Sequence, residues 1–148
     1  MVVLIVLLCM TAPAVGAFQS SDAVQRAKDV VRQGQGLLEQ VRQEVRNENY
    51  DAALRYLGEY RDVIKSAYEA LRASGRDAEK KPNGFKNLQI HIRQSIPRLE
   101  QTILSVPVEQ REPFNAIRRE LDTIDRELVE ALFPRQPLKK SGEKKPGR

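Results

Sequence analysis

The sequence predicts an all-α fold, an up-and-down antiparallel four-helix bundle built from two helical hairpins. Four segments repeat apolar or small residues at alternating spacings of three and four, which is the period of one face of a helix. Short polar joints separate the first segment from the second and the third from the fourth, which favours antiparallel pairs. Aromatic residues are scarce at 5% and charged residues of both signs reach 30%, which is typical of a helical domain with an aliphatic core.

The chain opens with an uncharged segment that is typical of a secretory signal peptide. Val2–Met10 form a continuous apolar run, and Val15-Gly16-Ala17 place small residues where a signal peptidase cuts. We therefore interpret residues 1–17 as a signal peptide cleaved near Ala17, which predicts export to the periplasm or the extracellular space. The basic residue that usually precedes the apolar run is missing here.

Two alternatives to cleavage are open. Residues 1–21 could act as an uncleaved membrane anchor, since roughly 20 residues span a bilayer, although Pro13 and Gly16 interrupt the apolar run. Lipidation of Cys9 is the other alternative. Cys9 is the one cysteine of the chain, so cleavage would leave a mature protein without disulfides, thiolate metal sites or a cysteine nucleophile.

The first hairpin is expected over residues 21–46 and 50–73. The stripe of the first helix is Val24, Ala27, Val31, Gly34, Leu38, Val41 and Val45. The stripe of the second helix is Tyr50, Ala53, Leu57, Tyr60, Ile64, Ala67 and Leu71. Residues 47–49 form the joint, Asp51 is the expected N-cap of the second helix, and Gly75 suits the left-handed position after its end.

The second hairpin is expected over residues 84–105 and 108–133. The stripe of the third helix is Phe85, Leu88, Ile92, Ile96, Leu99 and Ile103. The stripe of the fourth helix is Phe114, Ile117, Leu121, Ile124, Leu128 and Ala131. A polar turn at residues 80–84 precedes this hairpin, Ser105-Val106-Pro107 divides it, and Phe133-Pro134 ends it.

Two residues break the helical pattern. Gly34 lies on the stripe of the first helix, where glycine costs about 1 kcal/mol relative to alanine. Counting back from the hairpin joint places Gly34 near Tyr60 and Ile64, and we hypothesise that Gly34 makes room for the Tyr60 ring. A tolerated weak spot is the alternative. Pro97 removes an amide from the third helix and predicts a kink there.

Residue patterns that would indicate catalysis or a cofactor are missing from the sequence. His91 is the one histidine, and Leu88 stands where a di-iron bundle would need glutamate. We therefore interpret His91 as a side chain on the flank of the core stripe. No phosphate-binding glycine loop or nucleophile motif occurs, so the expectation is a non-enzyme without cofactors or metal.

The acidic side chains of the fourth segment alternate with arginines. The acidic residues are Glu120, Asp122, Asp125, Glu127 and Glu130, and the arginines are Arg118, Arg119 and Arg126. Opposite charges three or four residues apart form solvent-side pairs on a helix, so a solvated face is expected.

Two short segments resemble known families. The segment NYDAALRYL, residues 49–57, looks like the second helix of a tetratricopeptide unit, but it occurs once. The segment VPVEQREPF, residues 106–114, is similar to the Leu-Thr-x-x-Gln helix start of small periplasmic stress chaperones of the Spy/CpxP type, with Val106 and Pro107 in place of Leu and Thr and with Gln110 matching. That resemblance implies an exported helical protein that binds unfolded clients.

The basic excess of the chain lies in its C-terminal end. Residues 134–148 carry six basic side chains against Glu143, which leaves residues 18–133 with 19 basic and 19 acidic side chains. Prolines and glycines predict a disordered tail there. The tail is either a solubilising end or a tether to an anionic envelope surface, such as lipid headgroups. Its candidate contacts are Arg135, Lys139, Lys140, Lys144, Lys145 and Arg148.

Three functions follow as expectations. The first is an exported bundle that acts by interaction with an unidentified protein, with itself or with an envelope surface, without catalysis. The second is a chaperone-like client binder, and the third is a carrier of a small ligand or metal in the bundle core. Nucleic acid is not expected as a partner, because a neutral body lacks the basic surface that such proteins present.

Overall fold

The computed structural model describes residues 15–134 of the chain, and their side chains from residue 21 onward. Four long helices make up this range, and it contains no strand. They are α1 (Val15–Arg46), α2 (Tyr50–Ala73), α3 (Phe85–Leu104) and α4 (Arg111–Leu132), with a 3-10 turn at Val108–Gln110 before α4. The all-α fold built from two hairpins is therefore confirmed.

The turn between α1 and α2 consists of residues 47–49. The Asn49 amide donates to the Glu44 carbonyl at 2.9 Å, and the Asn49 side chain donates to the Glu44 carboxylate at 3.0 Å. The N-cap prediction for Asp51 is wrong, since Asn49 precedes α2 and Asp51 is its second residue. The reason is that the Asn49 carbonyl already accepts the Ala53 amide at 3.0 Å, so helical hydrogen bonding begins before Asp51.

The segment from residue 74 to residue 84 carries the chain from the end of α2 to the start of α3. Gly75 adopts the left-handed conformation that was predicted, with φ of 67°. Gly84 has φ of 92°, and a Cβ there would lie 2.8 Å from a Leu71 methyl carbon. Ala78, which lies between these two glycines in the sequence, is buried in the core. This segment therefore closes one end of the bundle.

The two hairpins pack side by side through α1 against α3 and α2 against α4. Across this interface the helices run in the same direction. The start of α3 lies beside the early part of α1, since Gly84 contacts Val24, and Gly34 then contacts His91 further along. The antiparallel contacts of this bundle are therefore within the hairpins, and parallel neighbours join one hairpin to the other.

The buried residues follow the predicted stripes, with shifts of one residue. In α2 the predicted positions from Ala53 to Leu71 are all buried. In α1 two positions are shifted, since Ala23 and Leu37 are buried whereas Val24 and Leu38 are partly buried beside them. The predicted and the buried residues differ because residues at the border of an apolar helix face are buried only where another helix packs on them. Here the neighbouring hairpin covers one border residue and leaves the next one partly exposed.

The joint between α3 and α4 is held by Arg111. Its guanidinium donates to the Leu104 carbonyl at 2.8 Å, at the end of α3, and to the Val106 carbonyl at 2.7 Å, in the joint itself. Pro97 lies inside α3, which continues through it. The kink at Pro97 stays a prediction.

Candidate functional site

A polar cluster interrupts the apolar core where the two hairpins meet. It consists of Gly34 on α1, Tyr60 on α2, and His91 and Ser95 on α3. A Cβ at Gly34 would lie 2.9 Å from Cε2 of Tyr60 and 2.8 Å from Nε2 of His91. The hypothesis that Gly34 makes room for the Tyr60 ring is confirmed, and the glycine admits the imidazole as well.

His91 lies in the core, not on the flank of the stripe where it was expected. Its side chain is 6% exposed, and its ring meets the Tyr60 ring edge-on at a centroid distance of 5.8 Å. Nε2 is enclosed without a hydrogen-bond partner. Burial lowers the pKa of His91, because a desolvated imidazole resists protonation, so the ring is neutral near pH 7.

Ser95 occupies the core position of α3 that was predicted for Ile96. Ser95 is 6% exposed, and its hydroxyl donates to the His91 carbonyl at 2.7 Å. Ile96 is partly buried at the edge of the core. Ser95 follows Ile92 by three residues and precedes Leu99 by four, whereas Ile96 follows Ile92 by four and precedes Leu99 by three, so helical spacing alone allows either residue. A hydrophobicity pattern alone selects the isoleucine, which is why the serine was missed.

The Tyr60 hydroxyl is a further buried polar group of this cluster. The Tyr60 side chain is 0% exposed, and its hydroxyl lies near the Ser95 hydroxyl. Burial raises the pKa of Tyr60 to about 12, while the nearby Ser95 hydroxyl opposes that rise. A buried polar group without a hydrogen-bond partner is costly, since it forfeits its hydration, and His91 Nε2 is such a group in this cluster.

A groove between α1 and α3 leads to this cluster from the surface. Its volume is about 250 Å³, and His91 and Ser95 lie at its inner end. The apolar parts of its wall are Leu38, Val41 and Leu99. Toward the C-terminal ends of the two helices it meets a wider depression of about 540 Å³, which shares Arg42, Arg98 and Thr102 with it.

Guanidinium groups dominate the charge along this groove and depression. Arg42 and Arg46 come from α1, and Arg98 comes from α3. Glu39 is the acidic residue in the walls, and it pairs with Arg42 at 3.0 Å and with Arg46 at 3.5 Å. These arginines lie beside the predicted stripes, so the sequence predicted the helix to which each of them belongs. Their convergence depends on α1 facing α3, which the sequence did not indicate.

A second polar contact joins α3 to α4, and it corrects the expected solvated face. Asp125 is 4% exposed and accepts hydrogen bonds from Gln89 at 3.0 Å and from Arg93 at 3.3 Å. The neighbouring Asp122 does lie on the solvent side, where it pairs with Arg126 at 3.7 Å. Asp125 was misassigned because it directly follows Ile124 at the edge of the stripe, where the facing helix supplies partners.

The site residues predicted in the tail lie outside the described residues. These are Arg135, Lys139, Lys140, Lys144, Lys145 and Arg148. Most of the proposed signal peptide also lies outside them, and α1 begins at Val15, inside its last three residues. Over residues 15–134, no cluster of three or more metal-ligating side chains occurs. No helix in that range is both long and apolar enough to span a membrane.

No protein-family model, curated protein or solved structure matches this chain.

Proposed function

We propose that this chain is an exported, non-catalytic helical-bundle protein whose function is to bind a ligand or partner in the groove between α1 and α3. The observation that carries this proposal is the polar cluster at the inner end of that groove. His91 and Ser95 occupy core positions of α3 where apolar side chains would otherwise pack, and both line the groove. A bundle selected for stability alone would fill these positions with aliphatic residues.

The environment of His91 favours binding over catalysis. General acid–base catalysis needs an imidazole nitrogen within hydrogen-bond reach of the substrate. Nε2 of His91 is enclosed, and it faces Gly34. The Ser95 hydroxyl donates to the backbone carbonyl of His91, so its proton is directed away from any base in the groove.

Export is the part of the proposal that rests on the first 17 residues. A mature N-terminus at Phe18 in protein recovered from the envelope or the medium would support it. Intact Met1 in that protein would contradict cleavage. Cleavage after Ala17 would remove the first three residues of α1 and leave the described core side chains, which begin at Ala23, in place.

The groove can be tested through His91, because a single histidine gives one set of imidazole signals in an NMR spectrum. The purified protein would be titrated with neutral, cationic and anionic small molecules that fit about 250 Å³. We expect at least one class to shift the His91 ring signals saturably, and to raise the melting temperature as ligands of the folded state do. If no class does so, the groove is not a binding site and the proposal is wrong.

A chaperone-like activity is the second candidate. It is favoured by two large apolar side chains that stay exposed at the α3–α4 joint, Leu104 at 67% and Val108 at 70%. Val108 lies within the segment that resembles the periplasmic chaperones. Near-stoichiometric protein should then suppress aggregation of a denatured test protein, and replacing Leu104 and Val108 with serine should abolish the effect. No suppression by the unmodified protein would contradict this candidate.

A further inference from the structure

The groove between α1 and α3 differs from the rest of the surface in its charge. Several arginines elsewhere on the bundle pair with carboxylates, such as Arg118 with Glu100 at 3.1 Å and Arg119 with Glu112. Along the groove and its depression, three guanidinium groups from Arg42, Arg46 and Arg98 face the single carboxylate of Glu39. The body of the chain is neutral by sequence, so this positive excess is local.

Arg98 is the guanidinium that remains available. Glu39 engages both Arg42 and Arg46, whereas Arg98 has no carboxylate partner among the described residues. Arg98 lines both the groove and the depression, so it stands at the junction between them. A guanidinium presents a planar fork of donors that matches a carboxylate or a phosphate, and here that fork lies beside a concave opening.

The inner end of the groove is lined by uncharged groups, unlike the junction where Arg98 lies. Leu38, Val41 and Leu99 contribute apolar surface, and His91 and Ser95 contribute groups that are polar but uncharged near pH 7. A charged group would not enter this end without losing its hydration. A volume of about 250 Å³ holds about eight water-sized groups at roughly 30 Å³ each. The groove therefore fits a compact molecule with one uncharged end and one anionic end.

We propose that the groove between α1 and α3 binds a small organic oxyanion, with its carboxylate or phosphate at Arg98 and its uncharged part against His91 and Ser95. This inference rests on the proposed function, because it names the class of ligand that the same groove would take.

A series of matched compounds tests the charge preference. Benzoate, phenyl phosphate, benzyl alcohol and benzylamine share one ring and differ in the charge of the attached group. Each would be titrated into the full chain while the His91 ring signals and the affinity are followed. We expect benzoate or phenyl phosphate to bind more tightly than benzyl alcohol, and benzylamine to bind weakest. The comparison of benzoate with phenyl phosphate separates a carboxylate site from a phosphate site.

Replacing Arg98 tests the position of the anionic end. Arg98→Gln should weaken binding of the preferred oxyanion by about tenfold, since a hydrogen bond to a charged group contributes on the order of 1.5 kcal/mol. It should leave benzyl alcohol binding unchanged. Arg32→Gln is the matched control, because Arg32 is an exposed arginine of α1 outside the groove. Its affinity for the oxyanion should equal that of the unmodified protein.

The possible results separate the two proposals. If benzyl alcohol or benzylamine shifts His91 and binds as tightly as the oxyanions, the groove is a binding site but the inference about oxyanions is wrong. An unchanged oxyanion affinity in Arg98→Gln would also overturn it. If none of the four compounds, and no member of the broader set, shifts His91, the proposed function fails together with the inference.

Discussion

Gly34 is a point of close approach between the two hairpins. Its missing side chain lets the Tyr60 ring and the His91 ring approach α1 at distances that a methyl group would occupy. Glycine inside a helix is unfavourable and costs about 1 kcal/mol relative to alanine at this position. The same glycine allows α2 and α3 to place their rings close to α1. The glycine two residues later has no such neighbours.

Gly34→Ala should therefore destabilise the protein. Overpacking two buried rings costs about 1–3 kcal/mol against about 1 kcal/mol of helix propensity gained, so we expect a net loss of up to about 2 kcal/mol. Gly36→Ala is the matched control, because no atom lies within 4 Å of a Cβ at Gly36. That variant should be more stable by up to about 1 kcal/mol. Urea unfolding of both variants checks the prediction, and equal stabilisation by the two changes would contradict it.

His91 should make stability depend on pH. Its pKa is lowered by burial in the folded protein, so between that value and the unfolded value of about 6.5 the unfolded chain binds more protons. The free energy of unfolding should therefore fall as the pH drops below about 6.5, and it should level off below the folded pKa. Gly34 and Tyr60 face the ring from α1 and α2, and Glu39 is the carboxylate that lines the same groove.

Unfolding measured at several pH values checks this dependence. His91 is the one histidine of the chain, so His91→Gln should remove most of the slope near pH 6 that an imidazole produces. The slope at lower pH, where carboxylates titrate, should remain. Identical pH dependence in the variant and the unmodified protein would show that His91 protonation is not coupled to folding.

At the scale of the elements, the boundaries of the second and third helices follow closely from local sequence, whereas the first helix, expected from residue 21, begins at Val15. The expected range 50–73 coincides with α2, and the range 84–105 exceeds α3 by one residue at each end. The fourth helix differs at its start, where Val108–Gln110 form a 3-10 turn before α4. Turn residues and helical spacing are local properties, and this is why they were readable. The burial of edge residues such as Ser95 and Asp125 could not be predicted in this way, since it depends on the facing helix.

Asp125 ties α3 to α4, and its loss should weaken that hairpin. Asp125→Ala removes the acceptor for Gln89 and Arg93 and should cost about 1.5–3 kcal/mol, as for hydrogen bonds to charged groups. Asp122→Ala is the control on the same helix. Its pair with Arg126 is exposed and should contribute less than about 0.5 kcal/mol. Denaturant unfolding of both variants checks this, and equal losses would contradict a structural role specific to Asp125.

At the scale of the whole molecule, the chain combines a neutral bundle with a basic C-terminal end. The described core ends at Leu132, and residues 135–148 of the tail lie outside the described part of the chain. Deleting residues 139–148 removes five of the tail's six basic side chains and Glu143. The melting temperature should stay the same, since no described core residue is lost.

The same deletion tests the tether to an anionic surface. If the tail acts as a tether, the unmodified protein should bind vesicles that contain anionic lipid, salt should weaken that binding, and the deletion should abolish it. Co-sedimentation with neutral vesicles is the control. Unchanged binding of the deletion variant to anionic vesicles would assign the contact to the folded body and rule out the tether.

Periodicity and turn chemistry were enough to identify four helices, two hairpins and the residues available for the core. They did not identify which hairpin faces meet. The four stripes are similarly aliphatic, so nothing local distinguishes α1 against α3 from α1 against α4. Tertiary packing makes that choice, and the choice brings Gly34 to His91 and Arg98 to the arginines of α1. The groove exists because helices far apart in sequence become neighbours, and the sequence of one helix does not specify which helix packs against it.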